Sequence, residues 1–189
     1  MSTELKLHKA QWNKCLRCRY GHARKCKPFL LEGETENPDV LIVGYFPGDA
    51  EELFGKMFQG QSGELLLKLI EASDISKLKL AYTYAIACRP RKLTGERIRQ
   101  PSTGPLNQCA KRIKQIVRIL KPSAIVVVGR AAGKAIEKVI DVDDLTIYEL
   151  HSTYKIVGSG VSHRDLLTQQ SIDILDEVYD DLVGEKNEE

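Results

Sequence analysis

The chain has 189 residues, of which 42% are hydrophobic and 29% are charged, and its formal net charge is +2. No apolar run approaches the roughly 20 residues that span a bilayer, and the first residues lack the hydrophobic middle of a signal peptide, which excludes membrane-spanning and secreted proteins. We therefore expect a cytoplasmic protein with one domain over residues 1–184 and a frayed acidic tail at 185–189.

Strands and helices are predicted to alternate along the chain. Short apolar runs rich in β-branched residues predict strands, and apolar residues at helical spacing predict helices. In chain order, the pattern predicts a strand at 39–45, a helix at 61–73, a strand at 80–87, a helix at 105–120, a strand at 123–129, a helix at 131–140, a strand within 153–157 and a closing helix at 171–183.

This alternation is typical of a three-layer α/β/α sandwich, here with a central, mainly parallel sheet of four strands. Ligands of such folds usually bind at the loops beyond the carboxyl ends of the strands. The segments 44–48 (GYFPG) and 83–90 (TYAIACRP) follow two such ends. The first segment lacks the three-glycine spacing of a Rossmann dinucleotide site, which disfavours dinucleotide binding.

The charge is unevenly distributed. Residues 1–28 hold eight Lys or Arg and one acid, whereas residues 173–189 hold eight acids and one Lys. Basic side chains also cluster at 89–99 and 111–121. A surface that faces phosphates and an ordinary solvated surface account for these clusters equally well when charge is the only evidence.

Five cysteines in a reducing compartment favour metal or cluster ligation over disulfides. Cys15 and Cys18 are separated by two residues, Cys88 follows a predicted strand, and Cys109 lies near the start of a predicted helix. Four thiolates suit an iron-sulfur cluster or zinc, and the spacing alone does not separate the two.

A local zinc site is the alternative use of the first cysteines. Cys15, Cys18, His22 and Cys26 resemble a compressed zinc knuckle, which would leave the two later cysteines as ordinary buried thiols. The spacing by itself gives the two interpretations equal weight.

Five sequence blocks follow one another in a characteristic order between residues 12 and 170. After the Cys-x-x-Cys pair come Gly-x-x-Pro-Gly, Phe-x-Gly-x-x-Gly-x-Leu-Leu, Cys-Arg-Pro with a later Cys, a strand that ends in Gly, and a late His. The five blocks lie at 44–48, 57–66, 83–90, 126–129 and 162–167. This order resembles the family-four uracil-DNA glycosylases. The resemblance implies a base-excision repair enzyme that hydrolyses the N-glycosidic bond of a flipped pyrimidine in DNA. The DNA is expected to be single-stranded or to carry a modified base. The enzyme is expected to be a monomer that is cytoplasmic or associated with the nucleoid.

The resemblance also implies a four-iron four-sulfur cluster with four cysteine ligands. By motif match these are Cys15, Cys18, Cys88 and Cys109, and Cys26 is left over. The implied role of the cluster is structural, because it ties the basic N-terminal segment to the loop after Cys88. Zinc remains the alternative occupant.

Several substrate contacts follow from the same resemblance. Phe58 matches the aromatic residue that stacks on the base, and Gly44 and Gly48 allow close backbone approach to it. His163 matches the histidine that donates to a base oxygen as negative charge builds there. Phe46, in the first glycine loop, is a further predicted substrate contact.

Two residues depart from the family pattern. Tyr45 stands where members that remove uracil commonly carry Glu. Asp49, Glu51 or Glu52 would therefore have to supply the catalytic carboxylate. We assign Tyr45 and Asp49 to the catalytic residues. Tyr84 stands where the family has an Asn that reads the base, and it offers one hydroxyl and more bulk. We therefore expect a uracil-related or modified base as the substrate.

A basic insertion follows the Cys-Arg-Pro block. Arg91, Lys92, Arg97 and Arg99 are predicted to contact DNA phosphates, together with Arg164 in the late block. The insertion holds no His, so the covalent trapping of uracil-DNA seen in one branch of the family is not expected. A base-modifying transferase, a noncatalytic DNA-binding module and a zinc-knuckle nucleic-acid-binding protein are the alternative functions.

Overall fold

The computed structural model describes residues 2–22, 27–91, 101–138 and 145–188, with side chains to 184. Within these ranges the backbone forms one mainly parallel sheet. Its strands are β1 (Glu32–Gly33), β2 (Val40–Gly44), β3 (Leu80–Tyr84), β4 (Ala124–Val128) and β5 (Thr146–Leu150).

The strand order is β1-β3-β2-β4-β5, and β3, β2, β4 and β5 are mutually parallel. β1 pairs antiparallel with β3 at the edge, through Glu32 opposite Tyr82 and Gly33 opposite Ala81. The prediction of a mainly parallel central sheet is therefore confirmed, and four of its strands are parallel to one another. The predicted total of four strands is wrong, because β1 adds a fifth strand at the edge. Two residues, Glu and Gly, carry no strand pattern by which β1 could be recognised.

Helices cover both faces of the sheet. They are α1 (Thr3–Trp12), α2 (Asp49–Phe54), α3 (Gln61–Glu71), α4 (Thr103–Leu120), α5 (Arg130–Glu137), α6 (Thr153–Val157) and α7 (Val161–Glu188), and a 3-10 turn spans Asp74–Lys77. None of the helices in the described ranges is both long and apolar enough to cross a membrane.

The side chains of each strand alternate between two apolar cores. On one face, Ile42 and Val126 pack with residues of α3 and α7. On the other face, Leu41 and Ile125 pack with residues of α1, α4 and α5. The three-layer α/β/α prediction is confirmed by this arrangement, because a parallel strand buried on both faces has to be apolar throughout.

The predicted strand within Thr153–Val157 is wrong. This segment is α6, which Ser152 precedes and Gly158 follows, and the last strand is β5 at Thr146–Leu150. Short apolar runs fit a strand or a buried helix equally well, and here the Ser at the first boundary and the Gly at the last one favour the helix.

The closing helix α7 begins at Val161, ten residues before the predicted start at Ser171. Its first two turns are largely exposed, so they lack the apolar periodicity from which a helix is recognised. The late block with His163 and Arg164 therefore lies on the first turns of α7. The domain boundary at 184 stays a prediction.

Candidate functional site

The parallel strands end at one edge of the sheet, and the motif residues collect there. Gly44, the last residue of β2, lies opposite Tyr84, the last residue of β3. Val128 at the end of β4 lies opposite Leu150 at the end of β5. Ligands of open α/β sheets bind beyond this edge. We refer to this region as the edge site.

The rings of Phe58 and Tyr84 pack against each other in the edge site, tilted by 41°. Their ring centroids are 4.9 Å apart, and the Phe58 backbone N–H donates to the Tyr84 hydroxyl over 3.0 Å. Phe58 is 6% exposed and Tyr84 is 3% exposed. Leu150 belongs to the same buried cluster. The ring of Tyr84 therefore occupies space beside Phe58, the residue predicted to stack on a base.

Glu51, on α2, ties the two loops of the edge site together. Its carboxylate accepts from the backbone N–H of Gly48 over 2.8 Å and of Gln59 over 3.1 Å. The Tyr84 hydroxyl donates to the same carboxylate over 3.4 Å. Glu51 is buried, and a buried carboxylate needs such donors. The buried Glu51 carboxylate thus holds the two loops and Tyr84 in place.

Burial raises the pKa of the Tyr84 phenol well above its ordinary value, and the Glu51 carboxylate raises the pKa further. Both effects disfavour a phenolate. The hydroxyl therefore stays protonated and remains a hydrogen-bond donor inside the edge site.

The backbone around Phe58 is unusual. Phe58 has a φ of 54°, in the left-handed region that residues with a Cβ rarely adopt. A Cβ on Gly44 would lie 2.7 Å from the Tyr84 ring and 2.9 Å from the Phe58 ring. Gly44 is thus required for the packing of the two rings. The positive φ of Phe58 is a strained backbone conformation, and such conformations concentrate at functional sites.

The first glycine loop divides its aromatic side chains between two surroundings. Tyr45 and Phe46 are half-buried with ring centroids 4.9 Å apart. Tyr45 packs toward the α4 and α5 side of the sheet, and burial raises its pKa. Phe46 packs against the buried cluster that includes Cys88 and Cys109. Neither ring belongs to the buried cluster of Phe58 and Tyr84.

The acids at the start of α2 are paired with arginines. Asp49 forms an ion pair with Arg89, and Glu52 pairs with Arg89 over 2.8 Å and with Arg91. Asp49, the predicted catalytic carboxylate, therefore lies beside a guanidinium at the surface, and Glu51 is the acid that points into the edge site. Arg91, predicted to contact phosphate, also has a carboxylate partner.

A second cleft, of about 520 Å³, lies past the end of β5. It is lined by His151, Ser152, Tyr154, Lys155, Gly158, Ser159, His163 and Leu167. His151 is half-buried and immediately follows β5, whereas His163 is exposed on α7. Phe58 and Tyr84 do not line this cleft.

Sequence reasoning missed His151. A side chain directly after a parallel strand belongs to the edge where ligands bind, and His151 meets that condition once β5 is placed at 146–150. Because the last strand was expected at 153–157, the sequence pattern did not indicate that His151 follows a strand. The match to the late block indicated His163 instead. The cleft contains both histidines.

The four cysteines of the motif match line one cavity. Cys88 and Cys109 are buried and Cys15 and Cys18 are half-buried around it. No three His, Cys, Asp or Glu side chains of the described ranges stand close enough together to hold a single metal ion. Cys26, needed for the zinc knuckle, lies outside the described residues.

Arg112, on α4, lines the cysteine cavity and is fully buried. Burial lowers its pKa from the ordinary value, and the neighbouring Cys109 and Cys88 thiols act in the opposite direction. Burial raises the pKa of the Cys109 thiol, while the guanidinium of Arg112 lowers it. The cavity therefore holds a buried cation beside thiols.

The other predicted phosphate contacts have mixed outcomes. Arg164 is exposed and donates to the carbonyls of Val157 over 3.0 Å and Ser159 over 3.1 Å, so it caps the end of α6. Lys92, Arg97 and Arg99 lie outside the described residues. Their assignment to DNA stays a prediction.

The three layers define an α/β protein with an open, mainly parallel sheet. Proteins of this class bind ligands beyond the carboxyl ends of the parallel strands, which is where the edge site lies. The chain belongs to the uracil DNA glycosylase superfamily, whose family model matches residues 32–178. The expectation of membership drawn from the order of the motifs is thereby confirmed.

Several relatives carry the name Type-4 uracil-DNA glycosylase. Those of Archaeoglobus fulgidus and Pyrobaculum aerophilum are 27% and 30% identical to the chain over 131 and 132 residues, which is 69% of the chain and 63% of each relative. That of Saccharolobus solfataricus is 28% identical over 119 residues, 62% of the chain and 51% of the relative. The chain thus spans less than two thirds of the length of these relatives.

Proposed function

We propose that the chain binds DNA and hydrolyses the N-glycosidic bond of a flipped pyrimidine, and that the base is an altered pyrimidine in preference to plain uracil. The packed pair of Phe58 and Tyr84 in the edge site carries the proposal. The superfamily membership and the names of the relatives support glycosylase chemistry. The Tyr ring beside Phe58 supports an altered specificity.

Base release requires a donor for the charge that builds on the leaving base. His151 follows the last strand, at the same edge of the sheet. The single proton of the Tyr84 hydroxyl is already donated to Glu51. We assign His151 the contact with the leaving base that the sequence pattern assigned to His163, and we keep His163 as a second residue of the same cleft.

The carboxylate for the sugar cation or the attacking water is assigned to Glu51. It is the acid of the 44–52 segment that reaches the edge site, whereas Asp49 and Glu52 pair with arginines. Glu51 already holds Gly48 and Tyr84, so its position is fixed before a substrate enters. A fixed charge of this kind needs no reorganisation as the bond breaks.

A four-iron four-sulfur cluster bound by Cys15, Cys18, Cys88 and Cys109 is part of the proposal. Each iron of such a cluster takes one thiolate, so the ligands surround a volume and do not converge on one atom. Four thiols around one cavity fit this donor set. When bound, the cluster supplies a rigid cross-link between the N-terminal segment and the loop after β3.

DNA binding without base release is the second candidate function. The packing of Tyr84 against Phe58 is also compatible with this function, because the tyrosine would have to move before a base could stack on Phe58 in its place. A base-modifying transferase would need the same movement.

Base release from a panel of DNAs separates the candidates. The protein is purified anaerobically, its iron and sulfide are measured, and it is incubated with DNA that carries uracil, hydroxymethyluracil or other altered pyrimidines. We expect release of an altered base and weak or no release of uracil. Tight binding to every substrate without release of any base would instead favour the binding module.

A further inference from the structure

Arg112 is a buried cation without an anionic partner of the usual kind. It is 1% exposed, on the face of α4 that packs against the sheet. In the part of the chain that the structure describes, the ion pairs join other residues, and no carboxylate pairs with Arg112. A buried charge is costly unless an opposite charge lies nearby.

Its hydrogen-bond partners in the fold are neutral. One terminal nitrogen donates to the Leu30 carbonyl over 3.1 Å and to the Thr83 hydroxyl over 2.9 Å, and the other donates to the Tyr84 carbonyl. These contacts hold the guanidinium in place without neutralising its charge. The Nε–H of Arg112 is buried and finds no acceptor within the described ranges.

Cysteine thiols are among the other neighbours of Arg112. Burial lowers the pKa of Arg112, and the charges of Cys109, Cys88 and Cys15 oppose this effect. Arg112 lines the same cavity as the four cysteines. Thiols become anions when they bind a metal, so this cavity is where negative charge would appear.

We propose that Arg112 is the charge-compensating residue of the cysteine site, which donates hydrogen bonds to thiolate sulfur and raises the reduction potential of the bound cluster. The inference rests on the cluster assigned under the proposed function. Arg112 is a positioning residue, because its other N–H groups fix Thr83 and Tyr84 at the end of β3. One guanidinium thus joins the cysteine cavity to the edge site.

The test compares three variants of the full-length, anaerobically purified protein. Arg112→Gln removes the charge, Arg112→Lys keeps the charge and loses the planar fork, and Arg118→Gln removes an exposed charge from the same helix as the matched control. The readouts are the reduction potential of the cluster and the half-time of iron transfer to a chelator.

We expect Arg112→Gln to move the potential to a more negative value, because the loss of a nearby cation disfavours the reduced cluster. Its iron-transfer half-time should fall about tenfold, in line with the strength of hydrogen bonds to charged groups. Arg112→Lys should restore most of the potential, and Arg118→Gln should match the wild type. A purely structural residue would change the melting temperature and leave the potential unchanged.

An unchanged potential in Arg112→Gln would overturn the assignment, and so would an equal shift in Arg112→Lys. If Arg112→Gln does not fold, Arg112→Met fills similar space without the charge and takes its place. Wild-type protein without iron and sulfide would contradict the cluster and this inference together. A wild-type cluster that is indifferent to residue 112 contradicts this inference alone.

Discussion

Tyr84 combines three contacts that determine what the edge site accepts. Its ring packs on Phe58, its hydroxyl accepts from the Phe58 N–H, and the same hydroxyl donates to Glu51. Because all three contacts are buried, the ring can leave the site only if Glu51 and the Phe58 loop give up a partner. The tyrosine therefore closes the site by packing and by hydrogen bonding together.

Replacement of Tyr84 by Asn should open the edge site to uracil. Asn offers a donor and an acceptor to a pyrimidine edge and vacates the space beside Phe58. We expect at least about a tenfold gain in uracil release or uracil-DNA affinity, with a stability loss of about 2–4 kcal/mol from the lost ring. Single-turnover release from uracil-containing DNA measures the gain.

Tyr84→Phe is the matched control, because it keeps the ring and removes the hydroxyl. It should stay closed to uracil. A folded Tyr84→Asn variant that neither binds nor releases uracil would show that the ring does not determine the specificity.

His151 and His163 can be separated by their effects on base release. Loss of a donor to a developing negative charge typically costs about 10²-fold or more in rate. We expect His151→Ala to lower single-turnover release of the substrate base by this amount with little change in DNA affinity, and His163→Ala to lower it by less than about threefold. The reverse ranking would return the role to His163.

Helix α1 docks on α4 through side chains that include a buried histidine. The Trp12 indole N–H donates to Gln115 over 2.7 Å, and the His8 ring lies against Trp12. Among the described residues, neither His8 nitrogen has a hydrogen-bond partner. Burial, together with the positive charges of Arg112 and Lys9, lowers the pKa of His8 to about 4. The folded protein therefore holds His8 neutral.

This depressed pKa predicts acid sensitivity of the α1–α4 contact. The unfolded chain takes up a proton on His8 below pH 6.5, and the folded chain does so only near pH 4. Stability is therefore lost as the pH falls through that window, by about 1–3 kcal/mol. Urea unfolding of wild type and His8→Leu at pH 7 and pH 5 measures this loss.

The His8→Leu variant should lose less stability than the wild type between the two pH values. His22→Gln, at an exposed position, should follow the wild type. An equal loss in wild type and His8→Leu would mean that other groups account for the acid sensitivity.

The elements most readily predicted from sequence were those with strong periodicity. The buried strands β2 and β4 are uniformly apolar, and α3 and α4 are amphipathic, so each appeared within a few residues of its observed bounds. β5 was missed because Thr146, Glu149 and other residues leave it half-exposed and without a clear run. The wrong position predicted for β5 also affected the prediction of the site, because His151 can be recognised only as the residue that follows β5.

Tertiary contacts account for the rest of what the sequence could not predict. The motif order indicated four cysteines as a set, and they line one cavity. Nothing in the local pattern indicated that Glu51 would turn inward while Asp49 paired with Arg89, because all acids in a first helical turn look alike in sequence. The buried Arg112 likewise resembles any basic residue of a helix until its packing is known.

At the scale of the whole molecule, the cysteine set distinguishes the cluster from a local zinc site. We expect Cys15→Ser, Cys88→Ser and Cys109→Ser to lose iron and sulfide, because each removes one thiolate of four. Cys26→Ser should retain both and serves as the control. Elemental analysis together with the visible absorption spectrum measures the result. Retention of metal in Cys88→Ser with its loss in Cys26→Ser would favour the zinc knuckle.

The distribution of those cysteines along the chain has a consequence for folding. A cluster that joins Cys18 to Cys88 closes a loop of about 70 residues, which contains β1, β2, α2, α3 and β3. By the relation for cross-linked chains, such a closure removes about 4 kcal/mol of conformational entropy from the unfolded ensemble. Loss of the cluster would then free the unfolded chain as well as the N-terminal segment, and the inorganic group would contribute to stability much as a disulfide does in a secreted protein.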